Sequence, residues 1–394
     1  MKYNFDKIVD RRGTDSVKYD LTGEVFGSND LLPMWVADMD FEVPGFIREA
    51  IAARNDHPVL GYTFRPERFY ESLTSWLKRR HQWDVLADQV SFSPGIVPAL
   101  NMAVMEMTSP GDRIVVQPPV YFPFFSAVTN HGRELVYNQL VKREDTYQID
   151  FDQLEQQFQQ GVSMFFFCHP HNPVGRVWKR DELEQLAALC VKYNVLTVSD
   201  EIHSDLVLFG NKHIPLASLG KEIADLTLTC VAPSKTFNLA GLYTSAVIIT
   251  NPLLKNRYDK VLDAVHVGGG NIFGQVAMEA AYTYGDEWLG QLLAYLEKNF
   301  TMLEEELEKH LPELVLSPLQ ATYLAWIDFS ELNMPDQAIK ELIIKEAKIG
   351  LNEGPMFGPG GEGHQRLNIA APSEILKEGI TRIVDAVKRV RLMH

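Results

Sequence analysis

Short apolar runs alternate with helix-like segments through the middle of the chain, and this alternation constrains the possible folds more than any other feature. The run Met164–Cys168 has the sequence MFFFC, and the helix predicted at Asp181–Tyr193 repeats its apolar residues at helical spacing. Strands that are apolar on both faces and alternate with helices are typical of a largely parallel sheet covered by helices. We therefore predict an α/β fold. Its predicted strands are Arg113–Gln117, Glu134–Tyr137, Met164–Cys168, Val195–Ser199, Leu226–Val231 and Ser245–Thr250.

The pattern of predicted elements changes near residue 285, where a long acidic helix-like segment begins. The first 45 residues show little periodicity. We therefore predict an N-terminal arm over 1–44 that packs with the small domain or a partner subunit, a large domain over 45–285, and a smaller α+β domain over 286–394. The predicted elements of the last domain are helices at Trp288–His310, Gln337–Ala347 and Glu374–Val390 and strands at Tyr323–Asp328 and Arg366–Ala370.

The charge balance limits the partners of the chain. It has 37 basic and 52 acidic residues, a net charge of −15. A general nucleic-acid binder needs a positive surface that displaces counterions from phosphate, and a negative field opposes anionic membranes as well. We therefore expect neither nucleic acid nor a membrane as partner.

The cysteines and the N-terminus bear on the compartment. Cys168, Cys190 and Cys230 cannot all pair, and buried free thiols are typical of a reducing compartment. The first residues lack the apolar stretch of a secretory signal, and no stretch approaches the ~18–20 apolar residues that span a bilayer. A cytoplasmic location is therefore expected.

Residues suited to binding a cofactor follow the predicted strands, where ligands bind in open α/β sheets. They are an aromatic ring at Tyr121, an amide at Asn172, a carboxylate at Asp200 and a lysine at Lys235, and an earlier loop adds a helix start at Gly95. Each alone has an ordinary explanation as a cap, a turn or a surface residue. Their joint occurrence at strand ends indicates a cofactor site.

Pyridoxal 5'-phosphate uses all five groups. Its aldehyde bonds to a lysine, and its ring nitrogen stays protonated beside a carboxylate such as Asp200. Its 3'-oxygen needs a hydrogen-bond donor, its ring stacks on an aromatic side chain, and its phosphate binds at a helix N-terminus. We therefore predict pyridoxal phosphate as the cofactor and no metal.

Three motifs resemble the signature of fold-type-I pyridoxal-phosphate enzymes, the aspartate aminotransferase superfamily. They are Asn172-Pro173-x-Gly175, Asp200-Glu201-Ile202-His203 and Ser234-Lys235-Thr236-Phe237. The resemblance covers essentially the whole chain and implies a mostly parallel seven-stranded sheet with helices on both faces. Longer stretches are similar to the MalY/PatB group of cystathionine β-lyases, or cysteine-S-conjugate C–S β-lyases. They are Pro33–Phe41, Gly61–Thr63, His171–Arg176, Asp200–Asp205, Ala232–Leu242 and Arg366–Ala370.

The resemblance implies a role for each matching residue. Lys235 would bond to the cofactor and act in catalysis with Tyr121 and Tyr62, the last reaching across from the other subunit of a homodimer. Arg366 would bind the substrate carboxylate as a bidentate donor. The implied cofactor-binding residues are Gly95, Ile96, Val97, Tyr121, Asn172, Asp200, His203, Ser234, Lys235 and Tyr62. The implied substrate-binding residues are Arg366, Asn172, Val36 and Ala37.

Three positions depart from the wider aminotransferase pattern. His203 stands where tyrosine is frequent, Ala232 where serine is frequent, and Tyr243 where an arginine often pairs with the phosphate. The phosphate therefore has fewer charged partners, which gives Tyr62 and the helix start more weight. The departures move the interpretation away from typical transaminases.

The reaction implied is α,β-elimination from an S-substituted cysteine to a thiol, pyruvate and ammonia. An aminotransferase on the same fold is the alternative, because the same residues serve both reactions and fold alone does not decide function. A regulator or scaffold that kept the fold is a non-enzymatic alternative, which the intact site residues disfavour.

Two further motifs are weak. A metal hydrolase would have to use Cys168, His169, His171, Asp200 and His203, whose spacing fits no common ligand pattern. The GxGxxG match at 358–363 neither follows a strand nor opens a helix, so we predict a flexible loop beside the substrate entrance. His364, two residues before Arg366, is a weaker candidate for the pocket wall.

Overall fold

The computed structural model describes residues 3–144 and 146–391, and its centre is a seven-stranded sheet. The strands of the described residues are β1 (Leu32–Pro33), β2 (Val90–Ser93), β3 (Arg113–Val116), β4 (Glu134–Tyr137), β5 (Val141–Arg143), β6 (Thr146–Gln148), β7 (Met164–Cys168), β8 (Leu196–Asp200), β9 (Thr227–Val231), β10 (Ser245–Ile248), β11 (Val315–Leu316), β12 (Leu324–Asp328), β13 (Ile349–Gly350), β14 (Asn352–Glu353) and β15 (His364–Asn368). The central sheet has the order β2-β10-β9-β8-β7-β3-β4, and β10 runs antiparallel to both neighbours while the other pairings are parallel.

Helices cover this sheet. The α-helices of the described residues are α1 (Val17–Asp20), α2 (Thr22–Phe26), α3 (Gly45–Asn55), α4 (Glu67–His81), α5 (Ile96–Met107), α6 (Pro123–Thr129), α7 (Phe151–Gln159), α8 (Arg180–Tyr193), α9 (Lys221–Ala224), α10 (Pro233–Thr236), α11 (Pro252–Ala264), α12 (Ile272–Tyr284), α13 (Asp286–His310), α14 (Asp336–Glu341) and α15 (Ser373–Arg391). None of the helices in residues 3–144 and 146–391 has both the length and the apolar character needed to cross a membrane.

Strand β7 explains why both faces of the sheet carry helices. Its side chains alternate between the faces, and all five of its residues are buried. Met164 and Phe166 pack in one apolar cluster with residues of α5, α6 and α11, whereas Phe165 and Phe167 pack in another with residues of α7 and α8. The predicted α/β fold with a mostly parallel seven-stranded sheet is confirmed.

A smaller antiparallel sheet lies near the C-terminus of the chain, with the order β11-β12-β15-β14. Strands β12 and β15 pair over five residues, and Trp326 is opposite Arg366. The short strand β1 pairs in parallel with β13, which joins the N-terminal segment to this part of the chain. One apolar cluster includes residues of α12, α13 and α15. Hydrophobic packing therefore continues across residue 285, and the domain boundaries stay a prediction.

The edge strand β2 was not predicted, because Ser91 and Ser93 weaken its apolar pattern. Both serines are buried and hydrogen-bonded: Ser91 Oγ donates to Asp259, and the backbone oxygen of Ser93 accepts from Ser245 Oγ. The predicted helix at Gln337–Ala347 is interrupted, since α14 is followed by a π-helical turn at Leu342–Glu346. Strand β15 begins two residues earlier than predicted.

Candidate active site

A cavity of about 370 Å³ lies at the carboxyl ends of the central strands. Its walls come from the loops after the strands, the start of α5, the segment around Val36 and the small sheet. The cavity brings together every predicted site residue except Tyr62. These residues are Val36, Ala37, Gly95, Ile96, Val97, Tyr121, Asn172, Asp200, His203, Ser234, Lys235 and Arg366.

Asp200 is the last residue of β8. The sequence predicted it to be the first residue after the strand. Its side chain is buried and accepts a hydrogen bond from the Ile202 backbone N–H at 3.2 Å. Burial raises the pKa of Asp200 to about 7, and no cation of the described residues forms an ion pair with it. A buried carboxylate of this kind favours a cationic partner in the cavity.

Lys235 lies in the short helix α10, directly after β9. Its Nζ donates to the backbone oxygen of Ala37 at 2.6 Å. Burial is the largest cause that lowers the pKa of Lys235, to about 8, from its usual value of 10.5. About a tenth of this amine is therefore uncharged at pH 7, and the uncharged form is the one that acts as a nucleophile or a general base.

Two asparagines hold the irregular segment that carries Val36 and Ala37. Asn368 Nδ2 donates to the backbone oxygens of Val36 and Asp38, at 2.7 and 2.6 Å. Asn238 exchanges hydrogen bonds with the backbone of Met39, accepting at 3.0 Å and donating at 2.9 Å. The asparagines follow Arg366 and Lys235 by two and three residues, so the segment is fixed to the same strand and turn that carry the site.

Arg366 lies on β15 and projects a buried guanidinium into the cavity. Its Nη1 donates to Asn172 Oδ1 at 3.0 Å, and its Nη2 donates to the Trp35 backbone oxygen at 3.1 Å and to Asn352 Oδ1 at 2.5 Å. Burial lowers the pKa of Arg366 to about 10, and its Nε has no partner among the described residues. This arrangement favours an anionic ligand.

Sequence reasoning missed Trp35 and Asn352, which line the cavity beside Arg366. The Trp35 Nε1 donor is already bonded to the Lys18 backbone oxygen at 3.0 Å. Asn352 pairs with Arg366 across strands β14 and β15. Trp35 lies in the stretch Pro33–Phe41 that resembles the MalY/PatB group, which is the signal that could have found it. Asn352 carried no signal, because it reaches the site through strand pairing with a residue fourteen positions away.

Another part of the cavity wall has the features of a phosphate site. Gly95, Ile96 and Val97 form the start of the twelve-residue helix α5, where the first backbone N–H groups have no helical partner. A Cβ at Gly95 would lie 3.3 Å from the Pro98 ring, so a larger residue would crowd this turn. Ser234 lies beside it, together with Thr244 and Ser245, which the sequence did not indicate.

Tyr62 lies outside the cavity of its own chain, and its side chain is fully exposed. It lines an adjoining surface depression together with Pro94 and Tyr243, and these two residues line the cavity as well. Val59, Leu60 and Phe64 are also exposed around it. The segment therefore presents an apolar surface next to the entrance of the site.

The pattern of the family Aminotransferase class I and II matches residues 28–383 of the chain. The chain belongs to this family. It is 46% identical over 385 residues to cystathionine beta-lyase PatB of Bacillus subtilis, a match that covers 98% of this chain and 100% of PatB. The resemblance to the MalY/PatB group is confirmed.

Two solved structures are similar to the chain along its whole length. Cystalysin from Treponema denticola, which contains a pyridoxal 5'-phosphate cofactor, is 38% identical with a TM-score of 0.96, covering 99% of this chain and 100% of cystalysin. The pyridoxal-phosphate-bound C–S lyase from Staphylococcus hominis is 36% identical with a TM-score of 0.91, and the match covers 98% of each chain. The aspartate-aminotransferase-like fold of the chain is therefore established.

The donors of the cavity fit the cofactor of this family. A protonated pyridine ring would supply the cation that Asp200 lacks, and the α5 start would bind a phosphate. His203 also lines the cavity, and its buried Nδ1 has no hydrogen-bond partner among the described residues. Asn172 Oδ1 is occupied by Arg366, which leaves its Nδ2 to donate to a ring oxygen. Pyridoxal phosphate therefore satisfies groups that the protein alone leaves without partners.

The residues that a metal hydrolase would have to use are engaged differently in the described structure. No cluster of three or more acidic, histidine or cysteine residues in the described chain could hold a metal ion. His169 Nε2 donates to the Ile214 backbone oxygen at 3.0 Å, and His171 Nε2 donates to that of Pro119 at 2.9 Å. His364 does not line the cavity, since its ring stacks on Trp326 with a centroid distance of 4.9 Å.

The glycine-rich segment 358–363 packs closely in this member of the family, which differs from the flexible loop predicted. A Cβ at Gly361 would lie 2.0 Å from the Gly354 backbone oxygen, and one at Gly358 would lie 2.7 Å from the Phe125 ring. The φ angle of Gly358 is 87°, in the left-handed region. These glycines therefore serve close packing before β15.

Proposed function

We propose that the chain is a pyridoxal-phosphate-dependent carbon–sulfur lyase. It cleaves cystathionine or related S-substituted cysteines to a thiol, pyruvate and ammonia. The full-length match to cystathionine beta-lyase PatB carries this proposal. The assembly of Lys235, Asp200, Asn172 and Arg366 around one cavity supports it.

Arg366 binds the α-carboxylate of the substrate. Its guanidinium is buried and forms no ion pair with any described residue, so a bound carboxylate would supply the missing anion. Asn172, Asn352 and the Trp35 backbone hold the guanidinium in place. The guanidinium of Arg366 is therefore oriented before the substrate binds, which reduces the entropic cost of ordering the site.

Lys235 holds the cofactor and moves the proton at the α-carbon. When bound, pyridoxal phosphate withdraws electrons and stabilises negative charge at that carbon. The Lys235 amine, once free, accepts the α-proton, because its pKa of about 8 leaves it partly uncharged near neutral pH. The bond between Cβ and sulfur then breaks, the sulfur leaves with the bonding electrons and takes up a proton, and water releases pyruvate and ammonia from the three-carbon fragment.

An aminotransferase remains the second candidate, because Lys235 and Arg366 would serve both reactions. Incubation of the holoenzyme with L-cystathionine and no keto acid separates the two. We expect pyruvate and a free thiol in equal amounts. A strict requirement for a keto acid, with the amino group recovered on it, would contradict the lyase proposal.

The pKa of Lys235 predicts how the cofactor-free protein takes up pyridoxal phosphate. Attachment needs the uncharged amine, so its rate should rise on the order of tenfold per pH unit below the pKa and level off above it. The plateau should begin near pH 8, because burial lowers the pKa of Lys235 to about 8. Stopped-flow absorbance of the attached cofactor measures the rate. Nα-acetyl-lysine in solution is the control, and a protein rate that rises in parallel with it to pH 10 would contradict the prediction.

A homodimer in which each subunit supplies Tyr62 to the other is part of the proposal. Three observations support it: Tyr62 is fully exposed, it is flanked by exposed apolar residues such as Leu60 and Phe64, and its depression adjoins the cavity at Tyr243. A contiguous exposed apolar patch of this kind is typical of an interaction site.

A cytoplasmic location is also proposed, since the three cysteines are free and buried.

Mixing two defective variants tests the shared site. Lys235→Ala removes the attachment lysine from one chain, and Tyr62→Ala removes the tyrosine from the other. After subunit exchange, half of the sites in mixed dimers combine Lys235 from one chain with Tyr62 from its partner, so about a quarter of all sites should recover. Pyruvate formation in the mixture should exceed the sum of the two variants measured separately. Purely additive activity after proven exchange would contradict the shared site.

A further inference from the structure

Asp205 lies behind the cavity and binds three donors from three side chains. Its Oδ1 accepts from Trp76 Nε1 and from His81 Nε2, each at 3.0 Å, and its Oδ2 accepts from Thr236 Oγ1 at 3.0 Å. Asp205 is 4% exposed and Thr236 is fully buried. Neither of the two lines the cavity, so neither contacts a ligand there.

The bond to Thr236 connects Asp205 to the turn that carries Lys235. Thr236 is the next residue after Lys235, and both belong to the four-residue helix α10. Trp76 and His81 lie on the fifteen-residue helix α4, which packs on α12 in the apolar core. Asp205 therefore bonds the turn of Lys235 to a long and well-packed helix.

The charges around Asp205 keep it a strong acceptor. Its pKa lies below the usual value although burial opposes this, because the hydrogen bond and charge of His81, the charge of Arg80 and the hydrogen bond of Thr236 favour the ionised form. On the far side, the His81 ring meets the His213 ring at 5.2 Å, and His213 Nε2 donates to Glu201 Oε2 at 2.7 Å. Glu201 directly follows Asp200, so the surroundings of Asp205 also include the segment that carries Asp200.

We propose that Asp205 is a positioning residue that fixes the Lys235 turn through the Thr236 hydroxyl. Among the described residues, the Ala37 backbone oxygen is the one hydrogen-bond partner of the Lys235 side chain. Without the bond from Thr236, the short helix α10 would lose its side-chain link to α4. The lysine amine would then spend less time at the distance and angle that attachment and proton transfer need.

Substitutions at Thr236 test this role with little change in volume. Thr236→Val removes the hydroxyl and keeps the shape, whereas Thr236→Ser keeps the hydroxyl. Trp76→Phe is the matched control, because it removes a different donor from the same carboxylate, keeps an aromatic ring beside Phe237 and leaves the Thr236 hydroxyl in place. The first readout is the rate at which cofactor-free protein regains the visible absorbance of attached pyridoxal phosphate, measured without substrate. The second is the split between kcat and KM for pyruvate formation.

We expect Thr236→Val to lower the attachment rate and kcat by about tenfold with KM unchanged. The attachment rate and kcat of Thr236→Ser should stay within about twofold of the wild-type values. The attachment rate of Trp76→Phe should also stay within about twofold, even if the variant has a lower melting temperature. Equal attachment rates for the valine variant and the wild type would overturn the proposal, and so would equal losses in the valine and phenylalanine variants. Asp205→Asn adds a third measurement if it folds; the two Thr236 variants decide the question without it.

The proposal rests on Lys235 as the attachment lysine of the proposed function, but it can fail separately. Attachment of the cofactor to Lys235→Ala, seen by mass spectrometry after borohydride reduction, would contradict the proposed function. Normal attachment in Thr236→Val would contradict the role of Asp205 alone.

Discussion

Lys235→Ala is expected to lower the rate of pyruvate formation from cystathionine by about 10²–10⁴-fold, the usual contribution of a positioned general base. The structure offers no substitute: within the described residues that line the cavity, Lys235 is the one lysine, and His203 has its pKa held well below its usual value by burial. The variant should also lose covalent attachment of pyridoxal phosphate. Pyruvate assays and the visible absorbance spectrum measure the two effects.

Two controls make the Lys235 result specific. Lys212→Ala removes an exposed lysine and should leave rate and spectrum unchanged. A small primary amine such as methylamine, added to Lys235→Ala, should restore part of the activity, because it can occupy the volume left by the side chain and accept the α-proton. A Lys235→Ala variant with wild-type activity would end the proposed role of this residue.

The sequence predicted those elements of the fold whose burial is evident from a local run of apolar residues. Strand β7 is apolar at every position, and all of its residues are buried between helices. Strand β2 was missed because serines occupy two of its four positions, and their hydroxyls donate hydrogen bonds inside the protein, to Asp259 and to the Gly95 backbone oxygen. An edge strand that pairs with one neighbour gives a weaker pattern than a central strand.

The candidate site divides in the same way. Asn172, Asp200 and Lys235 could be predicted because each follows or ends a strand, and parallel strands bring their carboxyl ends to one edge of the sheet. The contacts of Trp35 and Asn352 with Arg366 could not, since they depend on how three distant segments pack together. The role of Tyr62 also needs a second chain and stays a proposal.

The negative charge of the whole chain conceals a locally positive site. The net charge is −15, yet the charged residues that line the cavity are Asp200, Lys235 and Arg366. Burial lowers the pKa of both bases and raises that of the acid, which is the pattern of charges that lack their ligands. A phosphate, a substrate carboxylate and a protonated ring would together supply the counter-charges. The net charge of the chain therefore does not indicate which ligand charges the cavity binds.

Asp200→Asn is expected to lower kcat by about 10²–10³-fold, the size of effect seen when one preorganised electrostatic partner is removed from an active site. The carboxylate favours a positive charge on the cofactor ring, and that charge stabilises the electrons left by the α-proton; the neutral amide of asparagine favours it far less. Attachment to Lys235 should persist, because the ring nitrogen and the aldehyde are held by different residues. The variant therefore separates loss of catalysis from loss of cofactor, which Lys235→Ala cannot do.

The measurement compares kcat for cystathionine with the visible spectrum of the same preparation. An analogue of pyridoxal phosphate whose ring nitrogen carries a methyl group is permanently cationic, and it should return much of the activity to Asp200→Asn while giving the wild type no gain. Rescue of this kind assigns the loss to the missing ring charge and not to a disturbed strand end. Failure of the analogue in a variant with a normal melting temperature would mean that Asp200 acts through the position of β8, where its backbone oxygen accepts from the His169 N–H at 2.9 Å, and not through its charge.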